Sequence, residues 1–73
     1  HEDTMAEELK ANQRKTAMFE DRIQNYIGLG AGNRKTALRW IFESDNISFD
    51  DPGYACYLLN IPYAYEDEFR SMK

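Results

Sequence analysis

"GLGAGNRKTALRW", Gly28 to Trp40, is the stretch on which the fold turns. Glycines at 28, 30 and 32 precede a run of helix formers. The segment is therefore either a phosphate-cradling loop or a corner between two helices. A Walker A loop requires G-x-x-x-x-G-K-[ST]. With Lys35-Thr36 as its end, glycines belong at positions 29 and 34, where Leu29 and Arg34 stand. The dinucleotide pattern G-x-G-x-x-G, begun at Gly28 and Gly30, meets Asn33 in place of its third glycine. Both patterns also need a preceding strand, and the residues before Gly28 are helical in periodicity. The segment reads as a corner. Asn33 is placed to cap the second helix, its side chain accepting a backbone N–H two or three residues on. Arg34 and Lys35 beside the free N–H groups of that helix leave an anion contact as the lesser reading.

On the N-terminal side, Ala6 to Leu29 has the spacing of a long helix. Leu9, Phe19, Ile23, Tyr26 and Ile27 recur at helical intervals, with neither proline nor internal glycine until Gly28. The apolar stripe is dense only after Ala17, so residues 1–15 are either a frayed polar tail or a helix extension that needs a partner. On the C-terminal side, "RKTALRWIFE" is amphipathic. Ala37, Leu38, Ile41 and Phe42 share one face with Trp40 at its border, and Lys35, Arg39 and Glu43 form a stripe opposite. "SDNISFDDP" is a turn, in which Asp50 or Asp51 caps a third helix with Pro52 near its first position. Were Asp50 the cap, Phe49 and Tyr54 would stand at the spacing of a hydrophobic staple. "YACYLLNI" is almost wholly apolar and is expected at the centre of the core. Pro62 is expected to stop it and to open a fourth helix, "YAYEDEFRSMK", whose early Glu66, Asp67 and Glu68 suit the helix dipole. No strand is compelling. The expected fold is all-α: a small bundle in which one long N-terminal helix hinges at residues 28–32 onto two or three shorter helices, a single domain over residues 1–73.

Length restricts what such a fold does. A chain of 73 residues buries only about 60% of its unfolded surface, so its core is thin. Cys56 is the one cysteine and His1 the one histidine, which excludes an intrachain disulfide and the usual zinc ligand sets. Stability then comes from helix packing or from a second copy, and a homodimer is expected. His1 reads as a tag remnant. Because Met5 is the first methionine, residues 1–4 read as foreign, or the chain as a piece of something longer. No apolar run approaches the roughly 20 residues that cross a bilayer, and no export signal is evident. A lone thiol fits a cytoplasmic setting.

The net charge of −4 conceals a division. Between Lys10 and Arg39 lie Lys10, Arg14, Lys15, Arg22, Arg34, Lys35 and Arg39 against Glu20 and Asp21, whereas from Ile41 onward acids dominate and only Arg70 and Lys73 are basic. The halves either attract one another or steer partners. A helix-turn-helix reading fails for the fourth helix, because Glu66, Asp67 and Glu68 would repel phosphates. It survives for the second, where Arg34, Lys35 and Arg39, helped by Arg14 and Lys15, would meet DNA. The acids Asp45, Asp50, Asp51, Glu66, Asp67 and Glu68 pose the opposite idea, a mimic of DNA that occupies a basic groove. Five tyrosines suit an interface, or serve as lids on a small core. An EF-hand counted from Asp45 meets Ile47, Asp50 and Cys56 at its third, sixth and twelfth positions, and fails. No internal histidine or base stands ready to activate Cys56, so no enzyme, cofactor or small-molecule substrate is expected.

"GNRKTALRWIFES", followed by "DDPGYACYLLNIPYAYEDEF", resembles segments of short uncharacterised bacteriophage proteins, marine phages among them. The likeness spans residues 28–69 and lies in R-K-T-A-L-R-W, a C-Y-x-L helix and I-P-Y-x-Y-E. It implies a phage accessory protein made in the bacterial cytoplasm that binds a host or viral macromolecule, with no activity to carry over. The leading expectation is a non-enzymatic interaction protein, with Arg34, Lys35, Arg39, Tyr63, Tyr65, Glu66, Asp67 and Glu68 as its candidate binding residues. Nucleic-acid binding through the basic helices is the alternative, and the acidic mimic the second.

Overall fold

The computed structural model describes residues 2–73. The reading of His1 as a tag remnant falls on a residue outside that range. Four α-helices and two short helical turns account for the architecture, and no strand occurs among the described residues. The all-α expectation is met.

Helix α1 runs from Glu2 to Tyr26, so residues 2–15 are a helix extension rather than a frayed tail. Good helix formers (Ala, Glu, Lys, Met, Leu, Gln) fill it and nothing in its interior breaks it. A single π-type turn, Ile27–Ala31, ends it, and the chain reverses where Gly30 adopts φ +117° and Gly32 φ +82°. Side chains rarely adopt those values, and that is why glycine stands at both. Asn33 then caps helix α2, Arg34–Ser44, its Oδ1 accepting the Thr36 N–H at 2.9 Å, as its position in the sequence suggests.

Two ion pairs show how α2 lies. Arg34, at its start, reaches Glu20, while Asp45, just past its end, is reached by Arg22. Glu20 and Arg22 are about 3 Å apart along α1, whereas the two ends of α2 are about 16 Å apart, at ~1.5 Å per residue. Helix α2 therefore crosses α1 over Phe19 and Ile23 instead of running alongside it. Ala37, Leu38, Ile41 and Phe42 fill that crossing, all buried as the amphipathic pattern requires.

Helix α2 ends in a Schellman motif. Asn46 is left-handed (φ 56°), the Ile47 N–H donates to the Phe42 carbonyl at 2.8 Å, and the Asn46 N–H donates to Glu43. Helix α3, Pro52–Leu59, is capped by Asp51, whose Oδ1 accepts the Tyr54 N–H at 3.1 Å. With the cap at Asp51 the Phe49–Tyr54 staple does not form. Phe49 instead stacks on Phe42 at 4.0 Å between ring centroids. Helix α3 ends in a second Schellman motif at Asn60 (φ 56°), with Ile61 N–H on the Cys56 carbonyl, so Asn60 rather than Pro62 stops it. Pro62 is extended, a 3₁₀ turn follows at Tyr63–Tyr65, and only Glu66–Arg70 is α-helical, here α4.

The largest departure from expectation concerns α3. It is not the centre of the core: only Ala55 and Cys56 of the helix are buried, while Tyr54, Tyr57 and Leu58 face solvent. The centre is the crossing of α1 and α2, closed from below by Phe69 of α4, which packs edge-on against Phe19 and Phe42. Tyr65, Ile61 and Met72 complete it. The body thus begins near Thr16, and the first half of α1 projects beyond it. The molecule measures 43 × 26 × 18 Å, and its radius of gyration of 13.2 Å exceeds the roughly 11 Å of a compact domain this long.

Candidate functional site

The candidate binding residues divide into those the fold uses internally and those it presents. Arg34 belongs to the first group. Its guanidinium bridges two carboxylates: Nη1 and Nη2 donate to Glu20, Nη2 at 2.7 Å, while Nε and Nη2 donate to Glu68 at 2.6 and 3.0 Å. The buried Tyr65 joins them, its hydroxyl donating to Glu20 Oε2 at 2.6 Å. The Arg34 hydrogen bonds hold the Glu20 carboxyl below the usual carboxylate range. The two carboxylates raise Arg34 in turn. Burial, followed by the bond to Glu20, pushes the Tyr65 hydroxyl up. One cation thereby ties α1, α2, the 3₁₀ turn and α4 together, and α2's first residue has its donors directed at protein carboxylates.

A second tie is simpler. Arg22 donates to both oxygens of Asp45 at 2.8 and 2.7 Å, which lowers the Asp45 pKa and raises that of Arg22. Arg22 to Asp45 and Arg34 to Glu68 join the basic half of the sequence to the acidic half within one chain, so the halves do attract each other. Glu66 and Asp67 are held more loosely, by Arg70 on the same helix at 3.1 and 2.8 Å.

Lys35 and Arg39 are exposed on the outer side of α2. Tyr63 is 61% exposed. It lies beside residues that the sequence did not single out as one surface: Tyr54 and Tyr57 stack at 6.0 Å on the outer side of α3, and Tyr57 and Tyr63 line one open crevice of about 560 Å³ with Asn12, Lys15 and Pro62. Leu58 extends this apolar surface. The spacing of Tyr54 and Tyr57 was visible in the sequence. Which way they face was not, because an all-apolar helix has no periodicity to orient it.

The remaining constellations offer little chemistry. Cys56 is buried at the base of the crevice, and burial, then the nearby Glu66 charge, raises its thiol pKa, the opposite of what activates a cysteine. Among the described residues no group of three His, Cys, Asp or Glu side chains is placed to hold a metal ion. Among them, too, no helix is long and apolar enough to cross a membrane. No protein-family model, curated protein or solved structure matches the chain.

Proposed function

We propose that this chain is a small non-enzymatic interaction protein whose macromolecular partner docks on the outer side of α3 and the Tyr63 turn. The observation that carries the reading is the contiguous surface of Tyr54, Tyr57, Leu58 and Tyr63. A chain this short has little apolar surface to spare, yet it leaves three tyrosines and a leucine in solvent while burying only Ala55 and Cys56 of the same helix. Tyrosine brings contact area at low entropic cost and a polar tip, the combination on which protein interfaces draw. Asp51 and Glu66 near Gly53 and Lys15 on the crevice wall give the patch charges of both signs at its border, which favours a partner with complementary charged residues around an apolar centre.

The engagement of Arg34 by Glu20 and Glu68 weighs against the nucleic-acid alternative, which keeps Lys35 and Arg39 as its contacts. The same pairing, with Arg70 on Glu66 and Asp67, weighs against the acidic mimic. From the resemblance over residues 28–69 we infer the setting of a phage accessory protein in the bacterial cytoplasm.

The test is capture from bacterial lysate with and without nuclease, using the wild-type chain and a Tyr57→Ser/Tyr63→Ser variant. One stoichiometric protein that survives nuclease and moderate salt, and is lost with the variant, is the expected result. Recovery only of nuclease-sensitive material, equally by both, overturns it in favour of nucleic acid.

A further inference from the structure

Helix α1 carries one stripe along its whole length. Met5, Leu9, Asn12, Thr16, Phe19, Ile23 and Tyr26 follow each other at alternating steps of four and three, the spacing of a helix that packs against another helix. The body covers the second part of that stripe: Phe19 and Ile23 are 4% and 0% exposed. Thr16 and Asn12 stand at the edge of the body, and beyond them Met5 and Leu9 are 67% and 59% exposed among the described residues. Residues 2–15 form about 21 Å of helix at ~1.5 Å per residue. This length continues a helix already nucleated in the body, and tertiary packing of its apolar face is what would stabilise it further. The surface is correspondingly large, 5120 Å² against the roughly 4,700 Å² of a compact monomer of this mass.

We propose that the occupant of this bare stripe is a second copy of the same chain, laid antiparallel so that the two extensions cover each other. Three observations support this. The stripe is continuous with the buried one, so the face that would pair is the face already shaped for helix packing. The charge is divided along the extension: Glu7 and Glu8 lie toward the tip, and Lys10, Arg14 and Lys15 toward the body. A parallel pair sets like beside like, whereas an antiparallel pair sets acids beside bases. Finally, a parallel pair would bring both bodies to the same end of the stripe, where each already covers its own Phe19 and Ile23. The antiparallel pair sends them to opposite ends.

Matching the alternating steps sets Leu9 of one copy against Asn12 of the other, and Met5 against Thr16. Glu8 and Lys15 lie one heptad apart on the same flank, so Glu8 of each copy then meets Lys15 of the other. Among the described residues neither makes an ion pair within its own chain. A polar residue on such a seam fixes register at some expense of affinity, which gives Asn12 a role. The interface is two-fold and self-complementary and closes on itself. It engages Asn12 and Lys15, which line the crevice shared with Tyr57 and Tyr63, so the second copy and a partner seated in that crevice compete there, while Tyr54 and Leu58 lie outside it.

Sedimentation equilibrium on the full chain between about 1 and 200 μM, at low and moderate salt, tests this. We expect a concentration-dependent dimer that Leu9→Glu weakens by roughly a hundredfold or more, since a buried leucine is lost from each copy. Glu8→Lys and Lys15→Glu should each weaken it by about fivefold at low salt, because each creates two like-charge contacts. The double variant should recover it, which a merely structural effect of either change would not do. A monomer at every concentration overturns the proposal. So does a dimer indifferent to Leu9→Glu, which would place the contact elsewhere, or a double variant that fails to recover, which would exclude the antiparallel order. Leu9 lies outside the crevice that Tyr57 and Tyr63 line, so Leu9→Glu should weaken the dimer and leave capture of the partner intact, which separates the two readings.

Discussion

The two halves of α1 have the same pattern and different surroundings. From Thr16 to Tyr26 the stripe meets α2 crossing above it and Phe69 rising from below; Phe19 and Ile23 lose contact with water, and Thr16 and Tyr26 are half-buried at its two ends. Toward the N-terminus the same spacing continues through Leu9 and Met5 with smaller and more polar residues between; the body reaches Asn12 and Lys15 at the edge of the α3 crevice, and Leu9 and Met5 stay largely exposed. Periodicity thus states which face of a helix packs. Whether that face is covered depends on how far the rest of the chain reaches, and the segment from Ala31 to Lys73 reaches only the nearer half.

The contrast breaks most readily in the core. Phe69→Ala should cost about 3–5 kcal/mol, a large part of the stability of a domain this small, roughly 4–11 kcal/mol. Leu9→Ala should leave the unfolding of the body within about 0.5 kcal/mol at concentrations where the chain is monomeric. Urea melts followed by circular dichroism compare the two directly. Similar losses would mean that the extension folds as part of the body.

A smaller effect sharpens the boundary. Arg34→Ala leaves Glu20, Glu68 and Tyr65 facing one another without their cation and should cost about 1–2 kcal/mol. Arg34→Lys should not restore it, because an ammonium does not span two carboxylates as a guanidinium does. Arg22→Ala removes one exposed pair and should cost about 0.5 kcal/mol. Thermal melts of the three variants rank them, and equal shifts for Arg34 and Arg22 would reduce the four-residue cluster to an ordinary surface ion pair.

The smallest effect is with acid. Glu20 and Asp45 have lowered folded-state pKa values, so each contributes stability that is present above the unfolded carboxyl value of about 4. That contribution disappears as pH falls through the lower folded value. Melting temperature should therefore hold steady from neutral pH down to about 5 and decline below about 4. The decline should be shallower in Arg34→Ala, where Glu20 has already lost its partner. An unchanged acid limb in that variant would assign the decline to other carboxylates.

What could be read in advance follows from how local each determinant is. Asn33 as a cap, the amphipathic face of α2 and the glycine corner depend on neighbours within four residues, and each stands where the sequence puts it. Pro62 is the more emphatic residue at the end of α3, yet Asn60 in a left-handed conformation stops the helix two positions earlier. Composition alone puts helix α3 in the core. An octet with apolar residues on every side gives no period, and a core this thin has room for one side only, taken by Ala55 and Cys56. The candidate binding residues divide in the same way. Tyr63, Lys35 and Arg39 are presented, as a solvated surface requires. Arg34 and Tyr65 are drawn inward by Glu20, 14 and 45 positions away in the chain, and Glu68 by Arg34, 34 positions away. No periodicity reports a contact at such separations. Charge division between the halves was the one available signal, and it indicated attraction without indicating which arginine.

The corner at Gly30 has a further consequence. The ring of Trp40, the chain's one tryptophan, lies close to Gly30 (a Cβ there would be 3.9 Å from it) and packs edge-on against Tyr26 at 6.1 Å. Excited at its red edge, the indole is an optical probe built into the joint between α1 and α2. Its emission should follow the opening of that joint alone, while far-ultraviolet dichroism follows all the helices, the exposed extension included. Fraying at the tip and loss of the body are then two signals from one unlabelled sample.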